Sequence, residues 1–430
     1  MTANGATGSR FRIPKLILAL EGGREGRPGA FRELRAAPRD EWDAALALLD
    51  RHGVAPYAFF LLSRDDLLGE VPSFFAGALR ERHRESQIEH FRLLGECRRV
   101  AELFRGSGVR AVPFKGAALF TTLYDRPGLR PMQDLDWLVR RGDLPRAEGL
   151  MREAGYVLPG ALDADAARRL HFHLAFVKSG GGTRVELHWN LADEQLFPPA
   201  RLETVWAGVR ESATDPFLRL DELTTLLHLC VHAFKHGSLN PSLARRGQWR
   251  DLVFDPLSGN RLIWLLDIRK LLARGAGVTP AAVVSRAQEW GIGEAVASSL
   301  LLAQQVFGPV RGWEGAAAAI GREPLGPKLI VLNLLTAGLA RGDGRIVRTL
   351  ERLQQMDHAR ELRLIRALDL LDLLLPRPGE ARRWRASGRG ALLPFLYVYR
   401  ALSGPFAIAG KALPWLRRAT RRACFRSMLS

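Results

Sequence analysis

The sequence predicts an α+β protein: a small mixed β-sheet flanked by N-terminal helices and a C-terminal helical bundle. Three observations carry this. Apolar residues recur at helical spacing over 40–104 and again after Pro198. Between those stretches lie short β-branched and aromatic runs: VPF, DLDWLV, HLAFV and VELHW. At 430 residues the chain is also longer than one core usually holds, so it should divide. The expected divisions are a weakly structured N-terminus (1–38), a helical region (39–108), a sheet-containing core (109–200), a helical domain (201–375) and a basic, aromatic tail (376–430).

The elements follow in order. EGGREGRPG is a polar, glycine-rich break. DEWDAALALLDRHG, from Asp40, is a helix that stops at Gly53. A second helical piece lies around Tyr57 and Leu62, and a long helix over 72–104 ends at Gly106 and Gly108. A short strand over 109–114 leads into Lys115-Gly116, and a helix over 119–124 breaks at Asp125-Arg126-Pro127-Gly128. The run 134–139 is a strand, and 143–154 is an amphipathic helix closed by Gly155. Runs 171–178 and 183–189, joined through SGGG, form a hairpin that extends the same sheet. Beyond Pro198 the pattern is helical throughout: 221–235, 261–272, 280–290, 294–306, 328–339 and 345–375, with a loop over 237–260.

The chemistry concentrates in VPFKGAALFTTLYDRPGLRPMQDLDWLV. Asp134 and Asp136 stand two apart on a strand, so both carboxylates share one face and Leu135 faces the core. Two like charges that close need neutralising, and a divalent metal holding a nucleotide phosphate would do it. Lys115-Gly116 closes one strand and opens a helix, where backbone N–H groups can approach a phosphate. Arg130, four residues before Asp134, can meet a triphosphate or pair with an aspartate. Glu186 points away from Val185 and Leu187 and shares its face with His188. It would complete a three-acid platform for two Mg²⁺ ions, which can activate an acceptor oxygen and stabilise a pyrophosphate leaving group.

FKGAAL, RPMQDLDWLV and VELHW resemble an uncharacterised nucleotidyltransferase family of the polymerase-β-type superfamily. They are also similar to toxin nucleotidyltransferases with an FKGG…R-x-S-x-D-x-D pattern. HGVAPYAFFLL, LPRAEGLMREAGY and HLCVHAFKHGS…RLIWLLDIRKLL extend the resemblance over roughly residues 40–310. It implies a nucleotidyltransferase core in which Asp134, Asp136 and Glu186 are catalytic and bind Mg²⁺, or alternatively Mn²⁺, with Glu186 as base or orienter of the acceptor hydroxyl. It implies that Lys115, Gly116, Ala117 and Arg130 bind the nucleotide, and His188 lines the site with them. Ala117 stands where serine or a second glycine is usual, which leaves only backbone N–H groups at that point. The implied partners are an NTP and an acceptor: a protein, a peptide, an RNA end or a small metabolite. The alternatives are an RNA 3′-end nucleotidyltransferase and a non-catalytic nucleotide-binding scaffold with a membrane- or RNA-binding tail.

Other features read more plainly. His228, His232 and His236 recur every four residues and are expected to pack or hydrogen-bond, as are His171 and His173. Trp137 and Trp189 are expected in the core, and Asp267 as a helix-packing ion-pair partner. Of 63 basic residues only seven are lysine, a bias that a GC-rich genome explains as well as a polyanionic ligand does. From Pro376 onward, twelve basic residues face one acid, so the tail supplies +11 of the net +18. RNA or an anionic membrane surface is therefore expected at the tail rather than at the carboxylates. Cys97, Cys230 and Cys424 are too scattered for a metal quartet and read as reduced thiols of a cytoplasmic protein, with attachment to a membrane periphery through the tail as the alternative. The N-terminal apolar run is too short for a usual signal segment.

Overall fold

The structure is a computed structural model that describes residues 37–159, 172–180, 182–192, 197–212, 215–237, 261–275 and 277–320. All of these lie in one compact unit of the chain, residues 1–324. The helices expected over 328–339 and 345–375, residues 238–260 of the loop expected over 237–260, residues 1–36 of the N-terminus, the tail, His171 and Cys424 lie outside the described residues.

Three helices lead in: α1 (Arg39–His52), α2 (Ala55–Arg64) and α3 (Ser73–Gly106). Gly53 ends α1 in the left-handed conformation, with its N–H bonded to the carbonyls of Asp50 and Leu49. The sheet then begins with β1 (Ala111–Phe114), followed by a short helix α4 (Gly116–Thr122), β2 (Asp134–Val139), helix α5 (Leu144–Glu153) and β3 (Tyr156–Val157). The hairpin β4 (His173–Lys178) and β5 (Arg184–His188) completes it. Strand order is β1-β2-β5-β4-β3. The β2–β5 pair is parallel and its neighbours are antiparallel, so the sheet is mixed, and the hairpin does extend the strand that carries the aspartates.

Strand alternation divides the sheet into two faces. Leu135, Trp137 and Val139 of β2 lie beside Val185 and Leu187 of β5 and Leu174 and Phe176 of β4 in one apolar cluster. Helices α3 and α5 close over it with Leu93, Cys97, Val100, Phe104, Leu144, Ala147 and Met151. Ring contacts such as Phe104 edge-on to Trp137 at 5.8 Å add directional packing. At the sheet edge, the Tyr156 hydroxyl donates to buried Glu96 of α3, giving that carboxylate a partner.

The region after Pro198 is not helical throughout, as the periodicity suggests. A short helix α6 (Leu202–Ala207) is followed by a two-stranded ribbon, β6 (Arg210–Glu211) with β7 (Leu218–Arg219). Phe217 enters the sheet's own core, so this segment packs with the sheet. Helices α7 (Glu222–Gly237), α8 (Leu262–Arg274), α9 (Pro280–Trp290), α10 (Gly293–Phe307) and α11 (Ala316–Ala319) follow. The N-terminal helices tie into this layer. Buried His52 of α1 accepts the Leu262 N–H at the start of α8, and burial pushes its imidazole down to about 3, which keeps Nδ1 an acceptor.

Candidate active site

The opposite face of the sheet gathers the charges. In the parallel β2–β5 pair, Asp134 lies across from Arg184, Asp136 from Glu186 and Leu138 from His188. In the β4–β5 pair, His173 lies across from His188. Phe114 of β1 faces Asp136 from the other side. The sequence-expected residues Asp134, Asp136, Glu186 and His188 therefore occupy one face. They line a cleft of about 770 Å³ together with Lys115, Gly116 and Arg130.

Lys115 is central. It stands between β1 and α4 with φ 51°, a left-handed conformation that a side chain adopts at a cost of about 1–3 kcal/mol. In that conformation its Nζ donates to Asp136 Oδ1 at 2.7 Å. The Nε2 of His188 lies 2.8 Å from the same oxygen and 3.3 Å from Glu186 Oε2. Asp136 accepts only, so His188 carries its proton on Nε2. Neutralisation of the carboxylate pair thus falls in part to a lysine of the chain itself, with an imidazole N–H bonded to the same oxygen.

Burial alone would raise the pKa of Asp136. Lys115 and His188 outweigh it and hold the carboxyl well below the usual range. Glu186 is likewise held low against burial, by the bond to His188 and by nearby His173. Asp134 goes the other way: burial and the charges of Asp136 and Glu186 push it up to about 6. Burial opposes the Lys115 ammonium, but Asp136, Glu186 and Asp134 raise its pKa overall. Arg184 forms an ion pair with Glu186, its Nη2 lying 2.6 Å from Oε1. Three carboxylates thus meet two strong cations, and the uncompensated charge collects at Asp134. That donor set, all oxygen and imidazole with one negative charge in excess, fits a divalent cation.

Two expected nucleotide contacts have other partners here. Arg130 is buried and forms a bidentate pair with Asp267 of α8, Nε to Oδ1 at 3.0 Å and Nη2 to Oδ2 at 2.8 Å, and the Tyr124 hydroxyl donates to the same carboxylate at 2.7 Å. Asp267 is the ion-pair partner its sequence context suggests. The pair also explains Gly116, because a Cβ there would stand 2.7 Å from Arg130 Nη1 and 2.9 Å from Met132 Sδ. Ala117 is fully buried in the core cluster and is not among the residues lining the cleft.

His228 packs on Phe114 (4.9 Å), and burial beside Lys115 pushes it down to about 3. His232 and His236 pack on Trp264 of α8, and all three line the cleft. Trp137 is core, as expected, and so is Trp189. Sequence reading missed Arg184 and Trp264. Arg184 had a usable signal, since it stands two residues before Glu186 and shares its face. Trp264 had none, because its place in the cleft depends on how α8 packs.

A family model described as "Uncharacterised nucleotidyltransferase" matches residues 38–308, more than half of the chain. The chain belongs to this family. The match spans all the cleft residues named above, so the carboxylate face lies within the nucleotidyltransferase-family domain. No curated protein matches the chain, and no solved structure does. Among the described residues no helix is long and apolar enough to cross a membrane.

Proposed function

We propose that the chain transfers a nucleotidyl group from an NTP to a hydroxyl acceptor and releases pyrophosphate. The observation that carries this reading is the register of β2 and β5, which sets Asp136 against Glu186 with Asp134 beside them in an open cleft. Asp134, Asp136 and Glu186 are the residues that would hold Mg²⁺. When bound, the metal would offset triphosphate charge and acidify the acceptor hydroxyl.

The chain's own residues then have distinct tasks. Lys115, charged and at the cleft wall, would turn from Asp136 to a phosphate oxygen of the bound NTP. Glu186 is held at low pKa, so it orients the acceptor hydroxyl better than it retains a proton. The acceptor hydroxyl passes its proton by way of Glu186 to water as its oxygen attacks the α-phosphorus in line, the bond to the bridging oxygen breaks, and pyrophosphate leaves. Arg130 and Asp267 keep the Lys115-Gly116 turn in place. His188 fixes the Asp136 carboxylate through its Nε2 proton. The readings as an RNA 3′-end transferase or a scaffold rest on the tail, which lies outside the described residues.

The test is transfer of label from each α-labelled NTP, with Mg²⁺, to fractions of a cell lysate. Asp136→Asn is expected to lower transfer by about 10²–10³, the scale for losing one preorganised electrostatic group. Protein that neither binds any NTP with Mg²⁺ nor labels any fraction would sink the reading.

A further inference from the structure

We infer that His173, Glu186 and His188 form a site for a borderline first-row transition ion, one that selects Zn²⁺-like ions over Mg²⁺. This goes beyond the transferase reading, whose metal set is all carboxylate; the two draw on the same face and share Glu186 and His188, and His173 belongs to this site alone.

The geometry comes from the sheet. Antiparallel pairing of β4 with β5 sets His173 directly across from His188, and Glu186 precedes His188 by two residues on the same face. One ligand atom from each of the three lies within 4.8 Å of the other two. The His188 Nε2 to Glu186 Oε2 distance is 3.3 Å, and His173 Nε2 to the same oxygen is 3.8 Å. Donors at bond lengths near 2.0–2.1 Å around a tetrahedral ion stand about 3.3 Å apart. The group is therefore already near ligand spacing, while 3.8 Å is too long for a hydrogen bond.

The rings are held for this by packing. His188 is fully buried, edge-on to Phe114 at 4.8 Å and tilted against Phe172 at 5.5 Å. His173 stacks on it at 4.8 Å with 24° between planes, and Phe172 also packs against His173. Stacking holds the two imidazoles beside one carboxylate, so two nitrogens and an oxygen lie within 4.8 Å of one another. All three residues line the open cleft, which gives an ion a path in.

Chemistry sets the selectivity. Mg²⁺ prefers all-oxygen octahedra and keeps its waters, whereas imidazole favours Zn²⁺ and its neighbours in the first row. The Asp136 carboxylate, 2.8 Å from His188 Nε2, stands where it can become a further ligand once the imidazole gives up its proton.

The experiment is calorimetric titration of Zn²⁺ into the full-length, metal-stripped chain with Mg²⁺ in excess. A single equivalent of Zn²⁺ is expected to bind. His173→Gln, at a partly exposed position, is expected to weaken it by at least the 10–100-fold that loss of even a supporting partner costs. Co²⁺ in place of Zn²⁺ should give visible absorption bands that change in His173→Gln, a signature that a packing role would not produce. Absence of Zn²⁺ binding in Mg²⁺, or equal affinity in His173→Gln, overturns the proposal. Zn²⁺ binding without NTP–Mg²⁺ binding upholds this site and removes the transferase reading. The converse result removes this site alone.

Discussion

The two faces of β2 and β5 use the same ten or so residues for opposite ends. On one face Leu135, Trp137, Val185 and Leu187 are buried in an apolar cluster closed by α3 and α5. On the other, Asp134, Asp136, Glu186 and His188 are held together with a lysine in a strained backbone conformation. The dry face gains free energy by removing apolar area from water. The charged face gathers like charges in a partly buried place, and like charges there cost stability. The contrast shows that apolar packing concentrated on one side of a strand lets the other side hold an arrangement that would not assemble by itself.

The largest test of this contrast is Trp137→Ala. The ring is buried against Phe104 and Phe217, so its removal deletes area and leaves a void. A loss of about 3–5 kcal/mol is expected from urea unfolding. A loss under about 1 kcal/mol would mean that the apolar face does not hold the strands. Next in size is Asp267→Ala, which leaves buried Arg130 without its counter-charge and costs about 3 kcal/mol. The Arg130→Met, Asp267→Leu double variant should recover most of that stability. If it also keeps nucleotide affinity, the pair is a strut under the turn rather than a phosphate contact.

Much of this was legible in the chain. The strand Asp134–Val139 follows from alternation between acidic and apolar residues, and Pro280–Trp290 from proline at its first turn and Gly291 at its end. Glu186 was legible because VELHW has the same alternation. The rest depends on distance in sequence. Arg130 stands four residues from Asp134, which invites a local pairing, yet its partner comes from 137 residues away. Nothing near Lys115 announces its bond to Asp136, since the turn's conformation is set by β1 on one side and α4 on the other. Strands of two residues, such as Tyr156–Val157 and the β6–β7 ribbon, are too short to show any period.

The smallest expected effect is the most pointed, because its sign is opposite on the two faces. Asp134 is pushed up to about 6 from an ordinary 3.8 by burial and by Asp136 and Glu186. The folded state therefore keeps a proton that the unfolded chain loses, and stability falls as pH rises through about 4–6. Below that window both states are protonated and the residue costs nothing; above it the cost is constant. Asp134→Asn keeps the shape without the charge. In chelator at pH 8 it should be more stable than the parent by about 1–2 kcal/mol, allowing for solvent at this partly exposed position. At about pH 3, below both pKa values, the two should be nearly equal. Adding Mg²⁺ at pH 8 should stabilise the parent more than the variant, because only the parent has the third charge to offer. Thermal unfolding at the two pH values, with and without Mg²⁺, reads all of this. If Asp134→Asn were the less stable protein at pH 8 in chelator, the charged face would be holding the sheet together as the dry face does, and the division of labour between them would be gone.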